Sequence, residues 1–158
     1  MIKVSIIAVG KIKEKAFAEA AQEYEKRLGA FCELGITEIK PSVLPDNPSS
    51  AQISSALGAE AQKIAEKIPK GAAVYPLCIE GKSISSEELA ATVEDLTDNG
   101  QNICFIIGGS YGLSEDIKRL GMGLSFSKMT FPHRLFRVML LEQIYRAFTI
   151  ISGKKYHK

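Results

Sequence analysis

Three glycines, Gly108, Gly109 and Gly112, fall within the stretch "ICFIIGGSYGLSEDI", directly after a run of apolar residues. An apolar strand that runs into glycines and then into a helix start is a common cradle for nucleotide-like ligands. Positions without side chains let a ligand approach backbone N–H and C=O groups closely. The spacing rules out two familiar ligands. A dinucleotide wants G-x-G-x-x-G after an early strand, with an acid at the end of the next strand, and a nucleoside triphosphate wants G-x-x-x-x-G-K-[ST]. Neither pattern is present. Ser114, Glu115 and Asp116 follow the turn where a polyphosphate would need cations. A neutral or cationic nucleoside-like ligand suits these residues better. One glycine alone would read as a tight turn; three together at the end of a central strand favour a ligand.

Other residue types offer less. The three cysteines, Cys32, Cys78 and Cys104, each fall in an expected strand, are odd in number and form no C-x-x-C, so buried reduced thiols are expected. Two histidines without clustered ligand spacing point to no metal. Net charge is only +2, but from Phe131 onward six Lys and Arg residues face one acid, Glu142. That segment therefore carries +5 and the rest of the chain −3. Such asymmetry suits either an anionic partner or a solvated basic tail.

The elements that must position these residues alternate. Strands are expected at Ile2–Val9, Phe31–Ile39 (interrupted by Gly35), Ala72–Gly81, Ile103–Ile107 and, briefly, within "GLSFSKM". A helix from about Glu14 carries Phe17, Ala21, Tyr24 and Leu28 on one face, with Gly29 where a C-terminal cap belongs. After the proline-rich "KPSVLPDNPSS", a second helix starts near Ser50, carries Ile53, Leu57, Ile64 and Ile68, and stops at Pro69. Ser85 and Glu88 form a capping-box pattern ahead of Leu89, Val93 and Leu96. Ser114 caps a short helix, and Pro132 is well placed as the first residue of a long last helix to about Ser152. Pro76 inside the third strand suggests an edge, a bulge or a strand end. The fourth strand is apolar on both faces and therefore central.

Strands separated by helices imply one three-layer α/β domain over residues 1–158, with a mostly parallel sheet of about five strands. In such sheets ligands bind beyond the carboxyl ends of the strands. That places "CIEGKS", "IGGSYG" and "SKMTFPHR" around one site. No apolar run approaches the roughly 18 residues of a membrane span. The opening "MIKVSIIAVGK" reads as a first strand and not a signal peptide, so the cytoplasm is the expected compartment.

The stretches "FIIGGSYGLS" and "LSFSKMTFPHRLFRVMLLEQIYRAF", the terminal "YHK" and the opening "VGKIKEK" resemble the small SPOUT methyltransferases of the RlmH type, over nearly the whole chain. The resemblance implies methylation of N3 of a pseudouridine in 23S ribosomal RNA. It also implies a SPOUT-type fold with a C-terminal deep trefoil knot, an exception to the rule that chains do not knot. It further implies S-adenosyl-L-methionine as cofactor, contacted by Leu77, Gly108, Gly109 and Phe126 and by Ser127, Lys128, Met129, Thr130, Phe131 and Pro132, mostly through backbone groups. Taken alone, Leu77, Met129 and Phe131 would be read as packing. No metal is implied.

The last helix is apolar over most of its circumference. Leu135, Val138, Met139, Ile144 and Ile151 cannot all face one sheet, so a homodimer packed through this helix is expected. Arg134, Arg137 and Arg146 would line a surface near the cofactor, and Lys154 and Lys155 would join Arg134 and Arg146 in holding RNA phosphates. By composition "SGKKYHK" looks disordered, whereas the resemblance takes Tyr156 and His157 to the target nucleoside. His133 is a base or orienter for the N3 proton, or a structural residue at a helix start, and Arg137 stands beside it in the expected catalytic set. The competing functions are a non-catalytic RNA- or ribosome-binding α/β protein and a SPOUT enzyme acting on tRNA. With no appended RNA-binding domain, the assembled ribosome is the expected substrate.

Overall fold

The computed structural model describes residues 1–158. The elements follow in the order β1 (Lys3–Val9), α1 (Lys15–Leu28), β2 (Glu33–Ile39), α2 (Ser50–Lys67), β3 (Ala73–Ser83), α3 (Ser86–Asp98), β4 (Ile103–Ile107), α4 (Glu115–Lys118), β5 (Leu124–Ser125) and α5 (His133–Ile151). The five strands form one sheet in the order β2-β1-β4-β3-β5, and every pairing is parallel. No helix is long and apolar enough to cross a membrane.

Successive strand residues point to opposite faces, and the core divides accordingly. Val4, Ile6, Ala8, Ile103, Phe105 and Ile107 pack with α1, α3 and α5. Ile7, Val9, Cys104 and Ile106 pack with Ile64 of α2 and Ile117 of α4. The layers are thus helices, sheet, helices. All five residues of β4 are buried, as its unbroken apolar run requires. Leu140, Leu141 and Ile144 of α5 are fully buried, each stabilising the fold by about 1.5–3 kcal/mol.

The capping box at Ser85 is formed, with the hydroxyl accepting from Glu88 N–H and Glu88 accepting from Ser85 N–H; Ser49 and Gln52 make the same motif ahead of α2. Three boundaries differ from expectation. β2 begins at Glu33 because the N–H groups of Phe31 and Cys32 both donate to the Leu28 carbonyl, finishing the turn of α1. The fifth strand is only Leu124–Ser125. Beyond it the Ser125 hydroxyl donates to the Ser127 carbonyl and Met129 N–H donates to the Ser127 hydroxyl, which bends the chain out of the sheet. Pro132 precedes α5 with an extended ψ of 130° instead of opening it. Gly29 caps α1 at the expected position, in a right-handed conformation that needs no glycine-specific geometry. Pro76 lies beside a bulge: β5 pairs with β3 at Leu77 and again at Lys82 and Ser83, with a register shift between.

The tail is ordered where composition suggested disorder. Tyr156 packs edge-on against Tyr145 at 4.9 Å, and the Arg146 guanidinium covers its ring at 4.8 Å. The Tyr156 hydroxyl donates to Glu142 (3.2 Å), and His157 Nε2 meets Glu87 at 2.7 Å. The tail is held by aromatic and charged groups of α1, α3 and α5.

Candidate functional site

The carboxyl ends of β3, β4 and β5 open into a cavity of about 760 Å³. Leu77 to Glu80 form one side, and Gly108 to Leu113 form the floor and another side. The bend after β5 supplies Phe126, Ser127, Met129, Thr130, Phe131 and Pro132, and α5 adds His133 and Phe136. Every residue expected to contact a cofactor lines it except Lys128, which is exposed on the same bend. The three loops that the sequence placed around one site do converge.

Gly108, Gly109 and Gly112 owe their lack of side chains to the turn itself. Gly109 and Gly112 pair as an antiparallel bridge, and Gly112 has φ +75°. A Cβ on Gly108 would lie 2.4 Å from the Gly112 carbonyl carbon, and one on Gly109 would lie 3.2 Å from Val9 Cγ1. The glycines therefore let the chain fold back tightly, which leaves backbone groups facing the cavity.

Three further glycines were missed by sequence reasoning. A Cβ on Gly81 would meet Gly123 at 2.6 Å, one on Gly121 would meet the Val74 carbonyl oxygen at 1.9 Å, and one on Gly123 would meet Cys78 Sγ at 3.0 Å. They let the segment before β5 lie flush along β3, which carries Leu124 into the cavity wall. The only signal was "GMG" at residues 121–123.

The two sides of the cavity differ in charge. On the β3 side Lys118, which lines the cavity, pairs with Glu80 and with Glu115 (3.2 Å). The hydrogen bond from Lys118 holds the Glu80 carboxyl below its ordinary range and raises the Lys118 ammonium. On the β1 side Arg137 is buried, donating to Glu38 Oε2 and to the Gly10 carbonyl, both at 2.7 Å. Arg134 pairs with Glu14 at 2.7 Å. His133 lies between, its Nε2 3.7 Å from where a Gly10 Cβ would be. Burial first, then the Arg134 and Arg137 charges, push the His133 pKa down, which keeps the imidazole neutral at neutral pH.

The remaining expected residues lie elsewhere. Arg137 stands behind the lining and ties α5 to the ends of β1 and β2. Arg146 is paired with Glu142 and packed on Tyr156, on the outer face of the helices. Lys154 sits over the Phe31 ring at 4.6 Å, and Lys155 is exposed. Tyr156 and His157 are on that same outer face. The cysteines are free, and burial raises Cys32 and Cys104 to about 11, so neither is a ready thiolate. No group of three or more His, Cys, Asp or Glu is arranged to hold a metal ion.

Residues 2–157 match the family described as "Predicted SPOUT methyltransferase". The chain belongs to the SPOUT methyltransferase family. It is similar to "Ribosomal RNA large subunit methyltransferase H" of Clostridium botulinum, with 50% identity over 99% of this chain and 100% of the relative. It is 49% identical, with the same coverage, to the protein of that name from Bifidobacterium adolescentis. Among solved structures, TrmJ from Z. mobilis ZM4 superposes with a TM-score of 0.50 at 14% identity, covering 100% of this chain and 72% of that one, a likeness of fold alone.

Proposed function

We propose that this methyltransferase transfers a methyl group from S-adenosyl-L-methionine to N3 of a pseudouridine in the RNA of the large ribosomal subunit, acting on the assembled ribosome. Full-length identity of about half to relatives named for large-subunit ribosomal RNA supports the substrate class. The observation that carries the proposal for the site is the convergence of three strand-end loops on one cavity lined by the expected residues.

The residues fit the cofactor. The cavity volume of about 760 Å³ lies within the range of about 300–1,000 Å³ usual for such ligands. Half of the lining is apolar, suited to an adenine ring and an alkyl chain, and the Gly108–Gly112 turn, closed by Gly112 N–H on the Gly109 carbonyl, brings backbone to the cavity wall. No cluster of cations is present to demand phosphate. When bound, the cofactor supplies an electrophilic methyl on a sulfonium. Leu77, Gly108, Gly109, Phe126, Ser127 and the run from Met129 to Pro132 would hold it and exclude water, with Lys128 exposed on the same bend. Neutral His133 takes up the proton that leaves N3, and Arg137 fixes the backbone on which His133 rests.

Tyr156 and His157 serve the target nucleoside. Since both are held on the outer helical face, this role requires the tail to leave that face or to reach the cavity of a second copy. A homodimer formed through α5 is proposed on that basis, supported by a recess of about 430 Å³ beside Val138, Met139 and Phe131. The chain acts as one domain, in the cytoplasm, with the path from β5 into α5 threading the family's trefoil knot.

The test is methyl transfer from labelled cofactor to ribosomes, large subunits and free RNA in parallel, with the modified atom mapped. Label on N3 of one large-subunit pseudouridine is the expected result. Transfer only to tRNA, or RNA binding without cofactor binding, would overturn the proposal.

A further inference from the structure

We infer that the loops after β1 and β2 form the surface on which the RNA backbone docks, with Lys11, Lys13 and Lys40 as its phosphate contacts. This rests on the proposed RNA substrate, and it assigns the contact to a part of the chain other than the basic C-terminus. The basic C-terminus pointed to Arg134, Arg146, Lys154 and Lys155; the first three are already engaged, by Glu14, by Glu142 and by the Phe31 ring, and only Lys155 is exposed without a partner. Lys11, Lys13 and Lys40 are exposed and make no ion pair within the chain.

Their placement is determined by packing. Ile12 is half-buried against the main core, so Lys11 and Lys13, on either side of it, project outward together. Val9 of β1 is in register with Ile39 of β2, and Gly10 N–H donates to the Ile39 carbonyl at 2.8 Å, so Lys40 leaves the sheet beside Lys11. The loop is held at three points: Gly10 N–H on Ile39, the Gly10 carbonyl on Arg137, and Glu14 on Arg134. Both acids at this edge, Glu14 and Glu38, are thereby consumed in ion pairs, which leaves the lysines uncompensated.

The surface is also continuous with the cavity. Gly10 lies against His133, and Val9 lies against Gly109, both of which line the cavity. The opposite rim carries Glu80 and Glu115 beside Lys118. A polyanionic strand is therefore drawn to the β1–β2 edge, whose lysines carry no counter-charge, in preference to Lys118 on the β3 side, which two carboxylates already neutralise. Cations on a fixed loop lose little freedom on meeting phosphates, and such contacts are read through counterion release.

The experiment uses the full chain and purified large ribosomal subunits. Binding is measured by co-sedimentation across a salt series, alongside methyl-transfer kinetics and calorimetric binding of S-adenosylmethionine. For the triple variant Lys11→Glu, Lys13→Glu, Lys40→Glu, the slope of log K against log salt should shrink by about 2–3. KM for subunits should rise at least tenfold, with cofactor affinity unchanged. The triple Lys→Arg variant should behave as the parent, and Lys63→Glu with Lys67→Glu, on exposed α2, should leave binding within twofold. An unchanged slope and KM in the triple Glu variant would overturn this surface while leaving the methyltransferase proposal intact. Lysine-dependent binding by a protein that transfers no methyl group would do the reverse.

Discussion

The two walls of the cavity are built by different means. On the β3 side, backbone lies on backbone: Gly81, Gly121 and Gly123 bring two chain segments so close that no side chain fits between them. On the β1 side, the wall is assembled by side chains reaching across the molecule, as Arg137 spans to Glu38 and Gly10, and Arg134 to Glu14. Steric closeness fixes a position by repulsion, which is steep and indifferent to pH and salt. Ion pairs fix it by attraction, which is shallower and can be adjusted by titration and screening. The first wall holds the shape of the cavity, and the second can tune the group beside it.

The largest effect should come from violating the first wall. Gly121→Ala places a methyl 1.9 Å from the Val74 carbonyl oxygen, and should cost about 3 kcal/mol by forcing backbone apart. Thermal unfolding followed by circular dichroism should fall by about 6–12 °C. A loss under about 2 °C would show that this segment yields, and the contrast between the walls would fail.

Arg137→Met tests the second wall. It strips Glu38 and the Gly10 carbonyl of their donor while keeping the apolar stem, and should destabilise by about 2 kcal/mol. Because Arg137 stands behind the lining, cofactor affinity should stay within about threefold, or roughly 0.65 kcal/mol, while methyl transfer drops. Lost cofactor binding in a folded Arg137→Met protein would place the guanidinium in the pocket itself.

The pH dependence should belong to the second wall as well. His133 has a lowered pKa when folded, so the unfolded chain binds its proton more readily. The associated stability is complete above the ordinary value of 6.5 and is lost as pH falls toward the folded pKa. Between pH 7.5 and 5 the parent should lose thermal stability more steeply than His133→Gln. Parallel curves would remove His133 as the source.

The smallest effect is expected for Glu80→Gln. Its side chain is 59% exposed, so losing the pair with Lys118 should cost no more than about 1 kcal/mol. Any difference should disappear near 1 M salt, where screening acts over about 3 Å. A larger, salt-insensitive loss would mean that this rim is held as firmly as the glycines beneath it.

Features carried by local sequence were legible in advance. The unbroken apolar run of β4, the Ser85–Glu88 box and the alternation of elements gave the three layers and the end of the sheet where the cavity opens. The resemblance named nine of the 22 residues that line the cavity, and misplaced Lys128. Features that depend on distant partners were hidden. Nothing near Arg137 announces Glu38, 99 residues away in the chain, and "GMG" does not reveal that Val74 will press against it. For Tyr156 and His157, composition suggested disorder because their partners, Tyr24, Glu142 and Glu87, come from three separate helices.

The docked tail also equips the molecule with an optical reporter. The chain has no tryptophan and five tyrosines. Three of them form a ladder, Tyr24 to Tyr145 at 6.1 Å and Tyr145 to Tyr156 at 4.9 Å. Rings locked so close in a chiral setting give near-ultraviolet dichroism that no indole band obscures. Withdrawal of Tyr156 dismantles one rung, so departure of the C-terminus can be timed in stopped flow on unlabelled protein, with Tyr156→Phe as the blank for the hydroxyl contacts.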